Sequence, residues 1–324
     1  MIRKALFITL FSAFIYYSVN AQVVPAKSVN IYYLDKAGDL ALDSVKLDFI
    51  RVITKDTTNE DSYLVEDFYL NKKRKLVGKS TIPNYYLKRE GIFIEYFPNG
   101  RRKNVKNYHN NTIEGDEQYY YPNGKQYFTG HYDQSQHQYF ITTSKDSLGT
   151  SLASDGNGSH IEYDDDFKLI KGRGAIVNGL KNGEWKGNYN DTLSYSCVYT
   201  MGKSVFGTSI SKAGNVYHFT NDNINPEFPG GDQKFGLFLA RQIHYPAAAK
   251  ENNIQGKVFI NFTVDKQGKL RNLKIVRGIG SGCDDEVIRV LKLSPNWNPG
   301  KVYGIPVDIS YTIPISFNLQ TAGY

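Results

Sequence analysis

The chain has 324 residues, enough for two or three domains with cores of their own, and its 40% hydrophobic and 22% charged residues fit a folded protein rather than a disordered one. The formal charge of +7 arises from 39 basic against 32 acidic residues, and no helix-turn-helix, zinc-finger or RNA-binding signature gathers it. No nucleic-acid partner is therefore expected, and the runs Lys72-Lys73-Arg74-Lys75 and Arg101-Arg102-Lys103 read as solvated loop charge. Two distant cysteines, Cys197 and Cys283, and six histidines without helical pairing supply neither a disulfide framework nor a zinc set, so no metal or cofactor is expected and each histidine reads as a surface or turn residue.

The first element is an address. Met1-Ile2-Arg3-Lys4 is a positive start, 5–19 is apolar or weakly polar, and Val19-Asn20-Ala21 ends in small residues, which predicts a signal peptide over 1–21 cleaved after Ala21. The apolar stretch falls short of the roughly 20 residues of a spanning helix, so a retained inner-membrane anchor is the alternative. No cysteine near the cleavage site offers a lipid anchor, and a mature chain in the periplasm is expected.

The high content of Tyr (25), Phe (18) and Gly (29) favours β-structure with many turns. Over 22–84, a β region is predicted with strands from Val29 to Ile53 and from Ser62 to Lys79, centred on Tyr32-Tyr33-Leu34-Asp35-Lys36 and Asp67-Phe68-Tyr69-Leu70-Asn71. Over 85–215, two segments nearly superimpose at an offset of 24 residues: EGIFIEYFPNGR from Glu90 and EGDEQYYYPNGK from Glu114. Each is an aromatic run that meets Pro-Asn-Gly, a hairpin signal because Asn and Gly tolerate positive φ. Weaker echoes follow at 179–189 and 201–207. These units resemble the membrane occupation and recognition nexus (MORN) repeats of bacterial envelope proteins, and the resemblance implies an extended sheet of hairpins with an interaction or scaffold role and no catalytic residue.

From about residue 225 the periodicity changes. Asp232 reads as the N-cap of a helix to about Gln242, with Phe235, Phe238, Leu239 and Ile243 on one face. Tyr245-Pro246 breaks it, and Pro246 opens a second short helix through Ala247, Ala248 and Ala249. Val258, Ile260, Phe262 and Val264 then alternate as a strand, and Asp265-Lys266-Gln267-Gly268 turns into a second strand around Leu273 and Ile275. Ser281-Gly282-Cys283-Asp284 fits a capping box before a helix that buries Val287, Ile288, Val290 and Leu291. A final strand is predicted from Val307 to Phe317, with Ile309, Tyr311, Ile313 and Ile315 on the same face as its two ends. Pro314 has no N–H for a ladder, so that strand is expected to sit at a sheet edge or to turn that position outward, and an accessible edge is either guarded against aggregation or used to accept an added strand.

The series PEFPGG, IHYPAAAKENNIQGKVFINFTVDKQGKL, IVRGIGSGCDDEVIRVLKLSPNWNPG and GIPVDISYTIPISF resembles the TonB C-terminal domain over 225–319, with its Tyr-Pro, Gly-x-Val and Trp-x-Pro-Gly landmarks in order. The resemblance implies an α+β domain of two helices on a small antiparallel sheet, preceded here by the β-hairpin meander. It further implies that the domain binds an extended N-terminal segment of an outer-membrane TonB-dependent transporter. Tyr245, Pro246 and the positions of the last strand, Val307, Ile309, Tyr311, Ile313, Pro314, Ile315 and Phe317, match the family's partner-contacting positions. Full energy transducers carry an uncleaved anchor that meets inner-membrane motor proteins and a proline-rich spacer, whereas the 11 prolines here are not concentrated in a linker. A non-energised envelope scaffold is the alternative.

Other signals are weaker. Gly278-Ile279-Gly280-Ser281-Gly282-Cys283 lacks the third glycine of a dinucleotide fingerprint and precedes three acids. A calcium loop at Asp155-Gly156-Asn157-Gly158-Ser159 has His160 where glycine is needed. No nucleophile, Cys/His pair or carboxylate couple suggests catalysis, so an enzyme is not expected.

Overall fold

The computed structural model describes residues 29–59 and 61–319. The expected signal peptide over 1–21 lies outside them. The chain divides into two compact units between Gly124 and Lys125, within the repeat segment.

The first unit is a meander of eight described strands: β1 (Val29–Leu34), β2 (Phe49–Lys55), β3 (Tyr63–Tyr69), β4 (Arg74–Ser80), β5 (Arg89–Tyr96), β6 (Arg102–His109), β7 (Thr112–Ile113) and β8 (Glu117–Tyr120). Neighbours from β1 to β6 pair antiparallel, and β6 pairs with both β7 and β8. The expected strands over 29–53 and 62–79 are each two strands, because the chain between Leu34 and Phe49 runs through turns and bends, with Gly38 at φ 89, and Leu70-Asn71-Lys72-Lys73 is a turn with Lys72 at φ 67.

The second unit opens with nine more strands: β9 (Gln126–Asp133), β10 (Gln138–Lys145), β11 (Ser151–Ser154), β12 (Asn157–Tyr163), β13 (Ile170–Val177), β14 (Leu180–Asn190), β15 (Leu193–Thr200), β16 (Lys203–Ser211) and β17 (Val216–Phe219). Each pairs antiparallel with the next. Asp155-Gly156, Asn178-Gly179 and Met201-Gly202 join their strands with both residues at positive φ, the handedness that matches strand twist. The calcium-loop residues are thus partly a tight hairpin turn.

A sheet of this kind builds its core from rings laid across glycines. A Cβ on Gly78 would stand 2.4 Å from the ring of Phe93, one on Gly174 would stand 2.4 Å from Trp185, and one on Gly207 would stand 2.2 Å from Phe219. All three aromatic side chains are buried. The bare strand supplies the flat floor that a side chain would occupy, which accounts for the joint abundance of Gly, Tyr and Phe. Trp185 adds a hydrogen bond from Nε1 to the Ala175 carbonyl at 2.8 Å.

Two readings of the repeat change. In Pro98-Asn99-Gly100 only Gly100 adopts positive φ, at 90°. Asn99 serves as a connector instead: its Oδ1 accepts the Arg101 N–H at 2.9 Å, and its Nδ2 donates to the Pro122 carbonyl of the next hairpin tip at 2.8 Å. Asn71 does the same, with Oδ1 accepting from Lys73 N–H and Nδ2 donating to the Pro98 carbonyl. The basic runs are likewise used. Lys73 Nζ donates to the Asn99 carbonyl at 3.0 Å and Arg101 to the Asn123 carbonyl, while Lys75 pairs with Asp48 at 2.6 Å above the Phe49 ring. Arg74 pairs with Glu66 at 3.0 Å.

His160 is not a surface residue: it is buried, shares a 2.9 Å hydrogen bond with Ser144 Oγ and stacks on Tyr127. Burial, with Lys181 adding its charge, pushes its pKa down to about 3, so it is neutral in the fold.

The chain continues through β18 (Asn223–Ile224), α1 (Gly231–Gln242), α2 (Ala247–Glu251), β19 (Gly256–Val264), β20 (Leu270–Arg277), α3 (Cys283–Lys292), β21 (Lys301–Val302), β22 (Ile305–Pro306) and β23 (Ile309–Phe317). The α+β architecture is as expected, with α1 and α3 the two longer helices and a sheet ordered β20-β19-β23. Two expected caps are not made. Gly230 and Gly282, both left-handed, precede α1 and α3, while Asp232 lies inside the first turn of α1. Asp284 Oδ1 instead accepts the N–H of Ile279 at 3.0 Å, folding the glycine-rich loop back onto α3.

A small hairpin ties this region to the meander. β21 pairs with both β18 and β22, and Tyr303 occupies their turn at φ 50. Its ring stacks on Tyr195 at 3.9 Å and 14° and meets Phe219 edge-on. Its N–H donates to the Asp222 carbonyl at 2.8 Å, and its carbonyl accepts from Ser209 Oγ at 2.7 Å.

Candidate functional site: an uncharged sheet edge

The centre of the C-terminal sheet is β19, whose Val258, Ile260, Phe262 and Val264 are fully buried. Against them lie Val287 and Leu291 of α3, with Trp297 as the central ring. Trp297 meets Phe262 at 5.4 Å and Phe235 at 5.3 Å, and its Nε1 donates to Ser294 Oγ at 2.9 Å. Its backbone carbonyl lies 1.9 Å from where a Cβ on Gly268 would stand, so the turn after β19 must keep glycine there, at φ 81. The Trp-x-Pro-Gly segment thereby fixes the sheet against α1.

β23 pairs with β19 over nine consecutive positions, from Gly256 opposite Phe317 to Val264 opposite Ile309. The β19–β20 pairing has two register shifts by contrast. Among the described residues no strand pairs with the other side of β23 or of β20. The sheet therefore has two edges, and their side chains separate them. β20 carries Arg271, Lys274 and Arg277, and charge of that kind guards an edge against adventitious pairing. β23 carries no charge in nine residues, and its outward side chains are Ser310, Thr312, Pro314 and Ser316.

The ladder runs unbroken through Pro314, opposite Phe259. Because a residue's N–H and C=O point to the same neighbour in an antiparallel ladder, a ring nitrogen is tolerated where it faces away from β19. It then removes one donor from the outer edge. Asn261 Nδ2 spans Ser310 and Thr312 from behind at 3.0 and 2.8 Å, holding two outward side chains in place.

The expected partner residues are distributed as follows. Ile309, Tyr311, Ile313, Pro314, Ile315 and Phe317 lie in β23, whereas Val307 precedes it, its N–H bonded to the Gly300 carbonyl at 3.0 Å; the strand begins at Ile309 rather than Val307. Ile315 and Phe317 are buried and Tyr311 packs on Trp297, so these side chains face the core and leave the outer edge to the main chain. Tyr245 stands at the Phe317 end, edge-on to that ring at 5.5 Å, with its hydroxyl donating to the Ile254 carbonyl at 2.5 Å. Pro246 precedes α2 and lies against Gly282 at the start of α3.

One group was missed at the sequence level. Glu286, the last of the three acids that follow the glycine-rich segment, accepts the His244 N–H at 2.6 Å and both Arg289 Nε and Nη2 at 2.7 Å. Arg289 also reaches the Gln242 carbonyl at 2.6 Å, so the segment carrying Tyr245 is clamped to α3. Arg289 holds the Glu286 carboxyl below its usual range. A Glu and an Arg three apart on a helix was the available signal, but their target lies 42 residues away in sequence.

Residues 241–319 match the family model described as the Gram-negative bacterial TonB protein C-terminal. The chain carries a TonB C-terminal domain. The matched segment takes in Tyr245, Pro246, Glu286, Trp297 and all of β23. The TonB C-terminal family is one of non-enzymatic energy transduction and protein interaction, and its presence supports a TonB-like role in envelope transport. No curated protein matches the chain. Among the described residues no helix is long and apolar enough to cross a membrane.

Proposed function

We propose that the outer edge of β23 accepts an extended segment from an outer-membrane TonB-dependent transporter as a fourth strand beside β20-β19-β23. The observation that carries this reading is the contrast between the two edges, one lined by Arg271, Lys274 and Arg277 and the other uncharged over nine residues. Main-chain hydrogen bonds provide the affinity, the donor missing at Pro314 sets the register, and Tyr245 with Pro246 marks the Phe317 end of the groove. The domain acts in the periplasm, and it reaches inner-membrane motor proteins only where residues 1–21 are retained.

The test is titration of the full chain with peptides from transporter N-termini. Thr312→Pro, which removes a further outer-edge donor because Thr312 faces the same side as Pro314 in the unbroken register, is expected to weaken binding at least tenfold, and Lys274→Glu on β20 to leave it within twofold. Backbone amide shifts confined to β20, or no strand-type binding at millimolar peptide, would exclude the reading.

A second reading, an envelope scaffold that passes no energy, is favoured by one observation: the domain is joined to the meander through Tyr303 rather than a proline-rich spacer. Sequencing the mature N-terminus separates the two. Gln22 as first residue supports the scaffold, and intact Met1 supports the motor-linked form.

A further inference from the structure

The second unit's meander has a trough on the face opposite its aromatic core, and the strand-accepting edge does not use it. In β15 the odd-numbered residues Tyr195, Cys197 and Tyr199 are buried, so Ser194 and Ser196 point the other way. Register places Asn188 and Lys186 beside them on β14, and Ile210 and Thr208 on β16. Two short hydroxyl side chains flanked by longer ones leave an open groove of about 440 Å³, with Ile170 and Arg173 at its rim.

The two walls differ in chemistry. On one side Arg173 and Lys186 are cross-strand partners. Lys186 pairs with Glu184 at 3.0 Å, and Glu184 also accepts from Ser196 Oγ at 2.9 Å. Arg173 has no carboxylate within ion-pair distance among the described residues, which leaves this wall with an excess of one positive charge. The other wall is lined by Ile210, 48% exposed, and Thr208; beyond the groove, two residues before Thr208 on the same strand, Phe206, 53% exposed, stacks on His218 at 6.1 Å and 17°. Val198 and Val216, also exposed, extend this patch. Clustered exposed apolar side chains on a soluble face mark a contact surface.

A hydroxyl-lined floor, an unpaired guanidinium and an exposed ring suit a ligand with many hydroxyls, a carboxylate and an apolar ring face. Thr208 Oγ1 shares a 3.3 Å hydrogen bond with His218 Nδ1 and Asn188 Nδ2 donates to the Ile170 carbonyl at 3.3 Å, so each keeps further hydrogen-bonding capacity for a ligand hydroxyl, as Ser194 does, while Arg173 supplies the charge that a carboxylate meets. We propose that this trough binds a carboxylate-bearing saccharide, with Arg173 gripping the carboxylate, Ser194, Thr208 and Asn188 meeting ring hydroxyls, and Phe206 offering its face to the sugar.

The probe is a hyaluronan hexasaccharide, which alternates glucuronate with an N-acetylated sugar, titrated into the full chain by calorimetry, with chitohexaose as the neutral comparison and phosphatidylglycerol vesicles as the anionic-lipid comparison. Expected results are binding at least tenfold tighter for hyaluronan than for chitohexaose, a tenfold loss in Arg173→Ala, and complete loss in Ser194→Phe, which fills the floor. Both variants lie on an exposed face, and unchanged circular dichroism together with unchanged transporter-peptide binding shows that the fold and the β23 edge are intact. Equal affinity for the two saccharides, wild-type affinity in both variants, binding only to vesicles, or no binding at all would overturn the proposal.

Discussion

Gly174 and Trp185 occupy one place in the sheet between them. The indole lies where the glycine's side chain would be, fully buried, so Gly174→Val forces either the ring outward or the two strands apart. The expected loss is about 3 kcal/mol of unfolding free energy in urea titration, with the ring's fluorescence shifting to that of an exposed indole. His160 makes a second residue-level case. Held neutral with a pKa near 3, it cannot take a proton that the unfolded chain accepts at about 6.5. The unfolded state therefore binds more protons as pH falls below about 6.5, and stability declines by about 1.4 kcal/mol per pH unit until it levels off near pH 3. Denaturation midpoints at pH 7 and pH 5 should reveal this slope, and His160→Gln should flatten it. A slope unchanged in the variant would assign the loss to other groups.

Among the elements, those with a strict period were the ones readable in advance. Val258 to Val264 and Ile309 to Phe317 alternate without interruption, and the burial of Val287, Val290 and Leu291 follows from helical spacing. What the residues could not disclose depends on partners distant in sequence. Ser281 and Asp232 are good capping types, but the backbone enters both helices through a left-handed glycine, which leaves the side chains elsewhere. Pro314 announced an edge strand, yet nothing local to β23 says that the opposite edge is also unpaired; the guard on β20 becomes visible only once both lie in one sheet. Replacing that guard, with Lys274→Val and Arg277→Val together, is expected to create a second accepting edge. Light scattering should then detect concentration-dependent association that the parent chain lacks, and a strictly monomeric double variant would show that charge is not what closes β20.

At the scale of the whole molecule, the offset of 24 residues revealed the repeat but understated it. Asn71 continues the tip-to-tip contact one hairpin upstream, hidden because its spacing to Asn99 is 28 and no proline or glycine flanks it. The junction at Tyr303 was not foreseeable either, since a lone tyrosine between Val302 and Gly304 acquires meaning only when Tyr195 and Phe219 close on it. Tyr303→Ala is expected to raise the rate of proteolysis within 220–230 about tenfold while leaving peptide affinity at β23 unchanged, and equal digestion rates would show the ring to be incidental. Six peptide steps separate Tyr303 from Ile309, at most about 20 Å of backbone, and part of that is already folded as β22. A passenger that tugs on the last strand accordingly finds a short, stiff leash instead of a slack rope, and tension reaches the hairpin array almost as soon as it is applied.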